Sequence, residues 1–215
     1  RPVEIEPRFL YNQTFDSARA IPPGVLMLML VMIPSMMTAL GVVREKEVGS
    51  IANFHAAPVR RLEFLLGKQA PYVAVAMASF LILVGMLLTV FGLRIEGSVA
   101  ALAAGAALYT GAATAFGLVI STFVRSQIAA IFGSAIIVII PTVNFSGMLY
   151  PVATLDGLTR AIGQSFPALY FQRISAGVFN KGLGFADLYR DHLMLAAFCV
   201  LFWALAAALL RKQEA

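Results

Sequence analysis

An all-helical membrane protein, with five helices crossing a bilayer, is the fold class this sequence predicts, and three observations predict it. Sixty per cent of the 215 residues are hydrophobic and only 13% are charged, against about 45–50% apolar and about 25% charged residues in a soluble domain. The apolar residues gather into five runs that meet the ~20 residues needed to span hydrocarbon. None of those runs contains Asp, Glu, Lys, Arg or His. Backbone surrounded by lipid must satisfy its own hydrogen bonds, so the runs are expected to be helices; strands of a barrel would be shorter and would alternate in polarity.

The runs cover residues 23–43, 69–93, 99–124, 127–150 and 193–210. Basic residues fix their orientation. Arg44, Lys46, Arg60, Arg61 and Lys68 lie between the first two runs, Arg125 between the third and fourth, and Arg211 and Lys212 after the fifth. These positions share one side if the runs alternate, and an excess of Lys and Arg marks the cytoplasmic side. The N-terminus is then external and the C-terminus cytoplasmic. The segment 151–192 carries Arg160, Arg173, Lys181 and Arg190 on the other side, which dilutes the signal, although long external loops weigh less. The net charge of +5 is spread between apolar runs instead of forming one tract, which argues against direct nucleic-acid binding.

The third run pairs small residues four apart: Ala101 with Gly105, Ala107 with Gly111, Ala113 with Gly117. Each pair lies on one helix face and permits close helix approach, within a subunit or across a dimer. The fourth run holds Pro141, Thr142 and Asn144, and the first holds Pro34, Ser35 and Thr38. Proline removes an intrahelical bond, and a polar side chain in lipid needs a partner. These residues therefore serve either as interhelical hydrogen bonds or as the lining of a pathway beside a helix break. Segment 151–192 does not span. Its Gly, Pro and single charges predict short helices at, or dipping into, the outer interface, with Tyr150, Phe166, Tyr170, Phe171 and Tyr189 at headgroup level. Cys199, alone in the chain, reads as a small apolar filler.

The loop after the first run reads Arg44-Glu-Lys-Glu-Val-Gly-Ser50, then continues to Pro58. Val48, Ile51, Ala52 and His55 recur at helical spacing, so a short amphipathic helix is expected over about 44–57, ended by Pro58. It is either an interfacial helix on lipid or a docking helix that receives force from a soluble partner.

These residues resemble a known family. The Arg-Glu-Lys-Glu-x-Gly-Ser pattern at 44–50, Ala-Pro-x-x-Arg at 57–61 and Glu-Phe-Leu-Leu-Gly-Lys at 63–68 look like type-2 ABC export permeases. So do Arg-Ser-Gln at 125–127, Phe-Ser-Gly at 145–147, Phe-Pro at 166–167 and Lys-Gly-Leu-Gly-Phe at 181–185. The likeness covers essentially the whole chain and is strongest to the C-terminal permease part of ribosome-associated-ATPase-like proteins. It implies a six-helix exporter half that pairs with a second half in a bacterial inner membrane. By the resemblance, five of the six helices are present here, residues 1–22 end an external domain, and 151–192 holds re-entrant helices. It also implies that residues 44–57 form the coupling helix, with Arg44, Glu45, Glu47, Gly49, Ile51 and Pro58 at the contact with a nucleotide-binding domain, and that ATP and Mg sit on that domain. The chain begins at Arg1 and reads as a piece of a longer polypeptide.

No chemistry of its own is expected. Gly67-Lys68-Gln69 is the nearest approach to a phosphate loop, and it lacks the upstream Gly and the Ser/Thr that such a loop requires. His55 and His192 fall on opposite sides of the membrane, each as a solvated or interface residue. No cofactor or metal is expected on the chain. A proton-driven pump needs an intramembrane carboxylate or histidine, and the charge-free runs offer none, so energy must come from outside them. Two functions are compatible with this: a permease moving an amphiphilic or hydrophobic substrate outward, or a membrane anchor for an ATPase or ribosome-associated factor. A passive channel is disfavoured by the lack of a charged ring. Ser35, Thr38, Ser79, Thr110, Thr114, Ser134, Thr142 and Asn144 are the polar candidates inside the runs.

Overall fold

A computed structural model describes residues 21–48, 61–148 and 157–212. All described elements are helices: α1 (Pro22–Glu47), α2 (Arg61–Thr89), α3 (Val99–Phe123), α4 (Gln127–Phe145), α5 (Gly157–Gln164), α6 (Pro167–Asn180) and α7 (Phe185–Lys212). Five of them, α1, α2, α3, α4 and α7, are long and apolar enough to cross a membrane. The protein is an all-α membrane protein, as its composition predicts.

The ends of the helices follow local chemistry. Pro22 and Pro23 open α1, where a missing N–H is not felt, and Arg44 and Lys46 close it, where cations suit the carbonyl end. Ser98 and Ser126 cap α3 and α4, their side chains accepting from the N–H groups of Ala101 and Ala129 at 3.3 Å each. Gly147, at φ +88°, follows the end of α4 at Phe145. The fourth apolar run is expected to continue to 150; the helix stops earlier, among the bends at 146–148.

α3 is the centre of the bundle. It packs against α1 on one side and α7 on another, and touches α2 and α6 as well. Its small residues make this possible. A side chain at Gly117 would strike the backbone of Ser35, one at Gly105 would lie 3.1 Å from Ile174 of α6, and one at Gly111 would lie 3.2 Å from the Cys199 sulfur of α7. The small-residue pairs thus pack within one subunit, against three different helices. Two interhelical bonds accompany the close approach to α1: Ser35 Oγ donates to the Ala113 carbonyl at 2.9 Å, and the Tyr109 hydroxyl to the Met27 carbonyl at 3.3 Å.

The segment 151–192 departs from expectation in two ways. First, α6 is in the core. Ala168, Leu169, Phe171, Ile174 and Val178 are buried, and Phe171 stacks on Tyr109 with ring centroids 4.6 Å apart. Tyr170 and Phe171 are therefore packing residues, while Tyr189 is half exposed and Tyr150 lies outside the described residues. Second, α7 begins at Phe185, eight residues before the apolar run at 193. Helical hydrogen bonding does not require apolar side chains, and the polar ones find partners. The Asp187 carboxylate accepts from the Gly184 N–H at 3.1 Å, and Asp191 pairs with Arg173 of α6 at 3.6 Å. His192 is buried instead of solvated, with Nδ1 2.8 Å from the Leu188 carbonyl and Nε2 2.9 Å from the Ala101 carbonyl of α3.

Candidate functional site

The charged end of α1 gathers four elements at one end of the bundle. The helix continues through Arg44, Glu45, Lys46 and Glu47, so these four residues extend the first span as part of the same rod and do not start a separate helix. Successive positions on a helix point about 100° apart, and here they reach different neighbours. Glu45 pairs with Lys68 near the start of α2. The Lys46 ammonium donates to the Ser121 carbonyl of α3 at 2.8 Å. Glu47 accepts from the backbone N–H of Gln127, the first residue of α4, at 3.0 Å, and its second oxygen accepts from the Gln127 side-chain amide. Arg44 is exposed. Gly49, Ile51 and Pro58 lie outside the described residues.

A cleft of about 590 Å³ opens beside this cluster, lined by Lys46, Glu47, Thr122, Phe123, Val124 and Arg125. Deeper in the bundle, Gln69 is buried, and its carbonyl oxygen accepts from the Trp203 indole of α7. Sequence reading missed Gln69, Ser121 and Gln127 as partners. Nothing in their local sequence marks them as partners, and Ser121 contributes only its backbone carbonyl.

The polar residues inside the spans mostly serve their own helices. Thr38 donates to the Pro34 carbonyl at 2.8 Å, with both residues buried. Thr110, Thr114 and Ser134 are buried and donate to carbonyls three or four residues back. Thr142 is different. It follows Pro141 on the face of α4 that meets α1, and its buried hydroxyl has no partner among the described residues. Asn144 is exposed, and its amide donates to the Ile140 carbonyl at 2.8 Å. It continues the uncovered stripe Ile128, Phe132, Ile136 and Ile140 along α4. Ser79 is half-buried on α2 and donates to the Val75 carbonyl at 3.0 Å.

The opposite end of the bundle is joined by backbone hydrogen bonds. The N–H of Gly97 donates to the Val178 carbonyl at 2.9 Å and that of Ser98 to the Leu183 carbonyl at 3.1 Å. A cavity of about 330 Å³ lies there, bordered by Arg94, Glu96, Asn180 and Lys181. The Tyr170 hydroxyl donates to the Gln164 carbonyl at 2.9 Å. Burial raises its pKa above the usual phenol value, with Arg173 opposing and Asp191 adding to the rise. Among the described residues no cluster of His, Cys, Asp and Glu could hold a metal ion.

Against known proteins, the family described as ABC-2 family transporter protein matches residues 1–208. The probable multidrug ABC transporter permease YbhS of Escherichia coli K12 is 27% identical over 200 residues, which is 93% of this chain and 53% of that protein. The inner membrane transport permease YhhJ of the same organism is 26% identical over 213 residues, 98% of this chain and 56% of that protein. The chain thus spans about half the length of the curated relatives it matches. No solved structure matches it.

Proposed function

This chain belongs to the ABC-2 transporter family, and from that premise we propose that it is the membrane-spanning permease part of an ATP-driven exporter. One observation carries the reading. The charged end of α1 is bonded to α2, α3 and α4 together, at the end of a bundle whose apolar runs hold no proton-carrying side chain of their own. Such an end can accept a displacement from a soluble motor and spread it through the bundle. The motor is an ABC nucleotide-binding domain that carries ATP and Mg, docked from the cytoplasm on the segment 44–57 through side chains other than Glu47. Transport follows as a switch between two helix packings.

The N-terminus then lies outside and the C-terminus inside a bacterial inner membrane. A second permease half covers the uncovered stripe of α4, which would relieve the cost of leaving the Asn144 amide in lipid. The substrate is amphiphilic or hydrophobic. The buried polar groups of the spans are mostly hydroxyls, with the Gln69 amide and the His192 ring near their ends, and one relative is named a probable multidrug permease.

Inverted membrane vesicles holding the permease and its ATPase test this, with ethidium as the probe. ATP should drive ethidium into the vesicle lumen, and an ATPase variant unable to hydrolyse ATP should not. Equal accumulation in both would leave only a membrane anchor.

A further inference from the structure

We propose that Glu47 is a positioning residue that carries movement of the charged end of α1 into α4 through Gln127, and is not itself a contact to the ATPase. The inference rests on the exporter reading above and names the route inside it.

Both oxygens of the Glu47 carboxylate are engaged within the chain, one on the Gln127 backbone N–H and one on its side-chain amide. The first N–H groups of a helix have no intrahelical partner and carry the positive end of its dipole. A carboxylate set on one of them is a charge-assisted bond. Ser126 takes the N–H of Ala129 at 3.3 Å, so Glu47 and Ser126 together hold the first turn of α4. Glu47 does this from 80 residues away in sequence. The cleft beside it is lined by Lys46, Glu47 and residues 122–125 at the end of α3 and the turn that follows.

The helix so held is loosely packed. α4 packs mainly on α1 and meets α3 less. Its outward face meets no other helix of this chain among the described residues. It contains Pro141, which removes one intrahelical bond, followed by the buried, unpartnered Thr142 hydroxyl. A rod gripped at its first turn and weakened near its far end responds to a pull on that turn. Glu45 and Lys46 tie the same end of α1 to α2 and α3, of which α3 lies at the centre of the bundle.

The test uses the permease with its ATPase in vesicles, and the variants Glu47→Ala, Gln127→Glu and the exchanged pair Glu47→Gln/Gln127→Glu. Each single variant should lower ATP-driven ethidium uptake about fivefold or more while ATP hydrolysis stays within about twofold. The exchanged pair again sets a carboxylate against an amide and should recover most of the uptake. If Glu47→Ala fails to fold, Gln127→Glu and the exchanged pair carry the test. Wild-type uptake in the single variants overturns the inference and leaves the exporter reading intact. So does loss of ATP hydrolysis that the exchanged pair does not restore, because Glu47 would then touch the motor.

Hydrogen exchange separates the two readings where the wild type moves no ethidium. A change in protection at residues 127–130 on adding a non-hydrolysable ATP analogue, present in wild type and absent in Glu47→Ala, keeps the inference and removes the exporter reading. The same response in both proteins, or none in the wild type, overturns the inference.

Discussion

Gly117 sits where α3 crosses α1, and a β-carbon there would meet the Ser35 backbone. Gly133 on α4 has nothing within 4 Å of the same position. Alanine is the better helix former by about 1 kcal/mol, so propensity alone favours both substitutions. Sterics reverse the sign at one of them. Gly117→Ala should destabilise the bundle by about 1–3 kcal/mol, read as a lower melting temperature in detergent, while Gly133→Ala should be neutral or stabilising. His192 makes a second residue-scale case. Its two ring nitrogens join Leu188 of its own helix and Ala101 of α3. His192→Phe keeps the ring contact with Phe185, at 5.2 Å, and removes both bonds. It should cost about 1–3 kcal/mol, in the same melting measurement.

At the scale of the element, α6 behaves as a core helix although its sequence reads as an interfacial one. Phe171 is fully buried against Tyr109, whereas Phe132 lies 65% exposed on α4. Truncation of each to alanine separates the two environments. Phe171→Ala should cost about 3–5 kcal/mol. Phe132→Ala should leave the melting temperature of the separated subunit within the effect of about 0.5 kcal/mol, and should reduce cross-linking between permease halves if the stripe ending at Asn144 is where they meet. α7 is the other element whose limits sequence misjudged. Arg190, Asp191 and His192 precede the apolar run, yet they lie inside the helix, where Asp191 pairs with Arg173 and the His192 ring meets the Leu188 and Ala101 carbonyls.

For the whole molecule, alternation of the spans places Arg125 and Arg94 at opposite ends: Arg125 beside the end of α1 and Arg94 beside the end of α6. With Cys199 replaced by alanine, a membrane-impermeant maleimide should label Arg94→Cys on intact cells and Arg125→Cys only after permeabilisation. The reverse result would put the charged end of α1 on the wrong side for any cytoplasmic motor. The pattern 44–47 stood out in the sequence as a place where force enters. Its partners did not. Lys68, Ser121 and Gln127 are 23, 75 and 80 residues from the side chains they meet, and nothing local marks them.

The sequence by itself determined the solvent, the number of helices fit to cross it and their helical character, though not their ends. Hydrocarbon imposes a length and a polarity threshold on every crossing segment, and both are read directly from the order of residues. Only the tertiary structure decided what each apolar face meets. A leucine facing lipid and one facing another helix look alike in sequence, because lipid tails and side chains are equally apolar. The burial of α6, the helix chosen by each small residue of α3 and the hold of Glu47 on α4 all depend on that choice of neighbour.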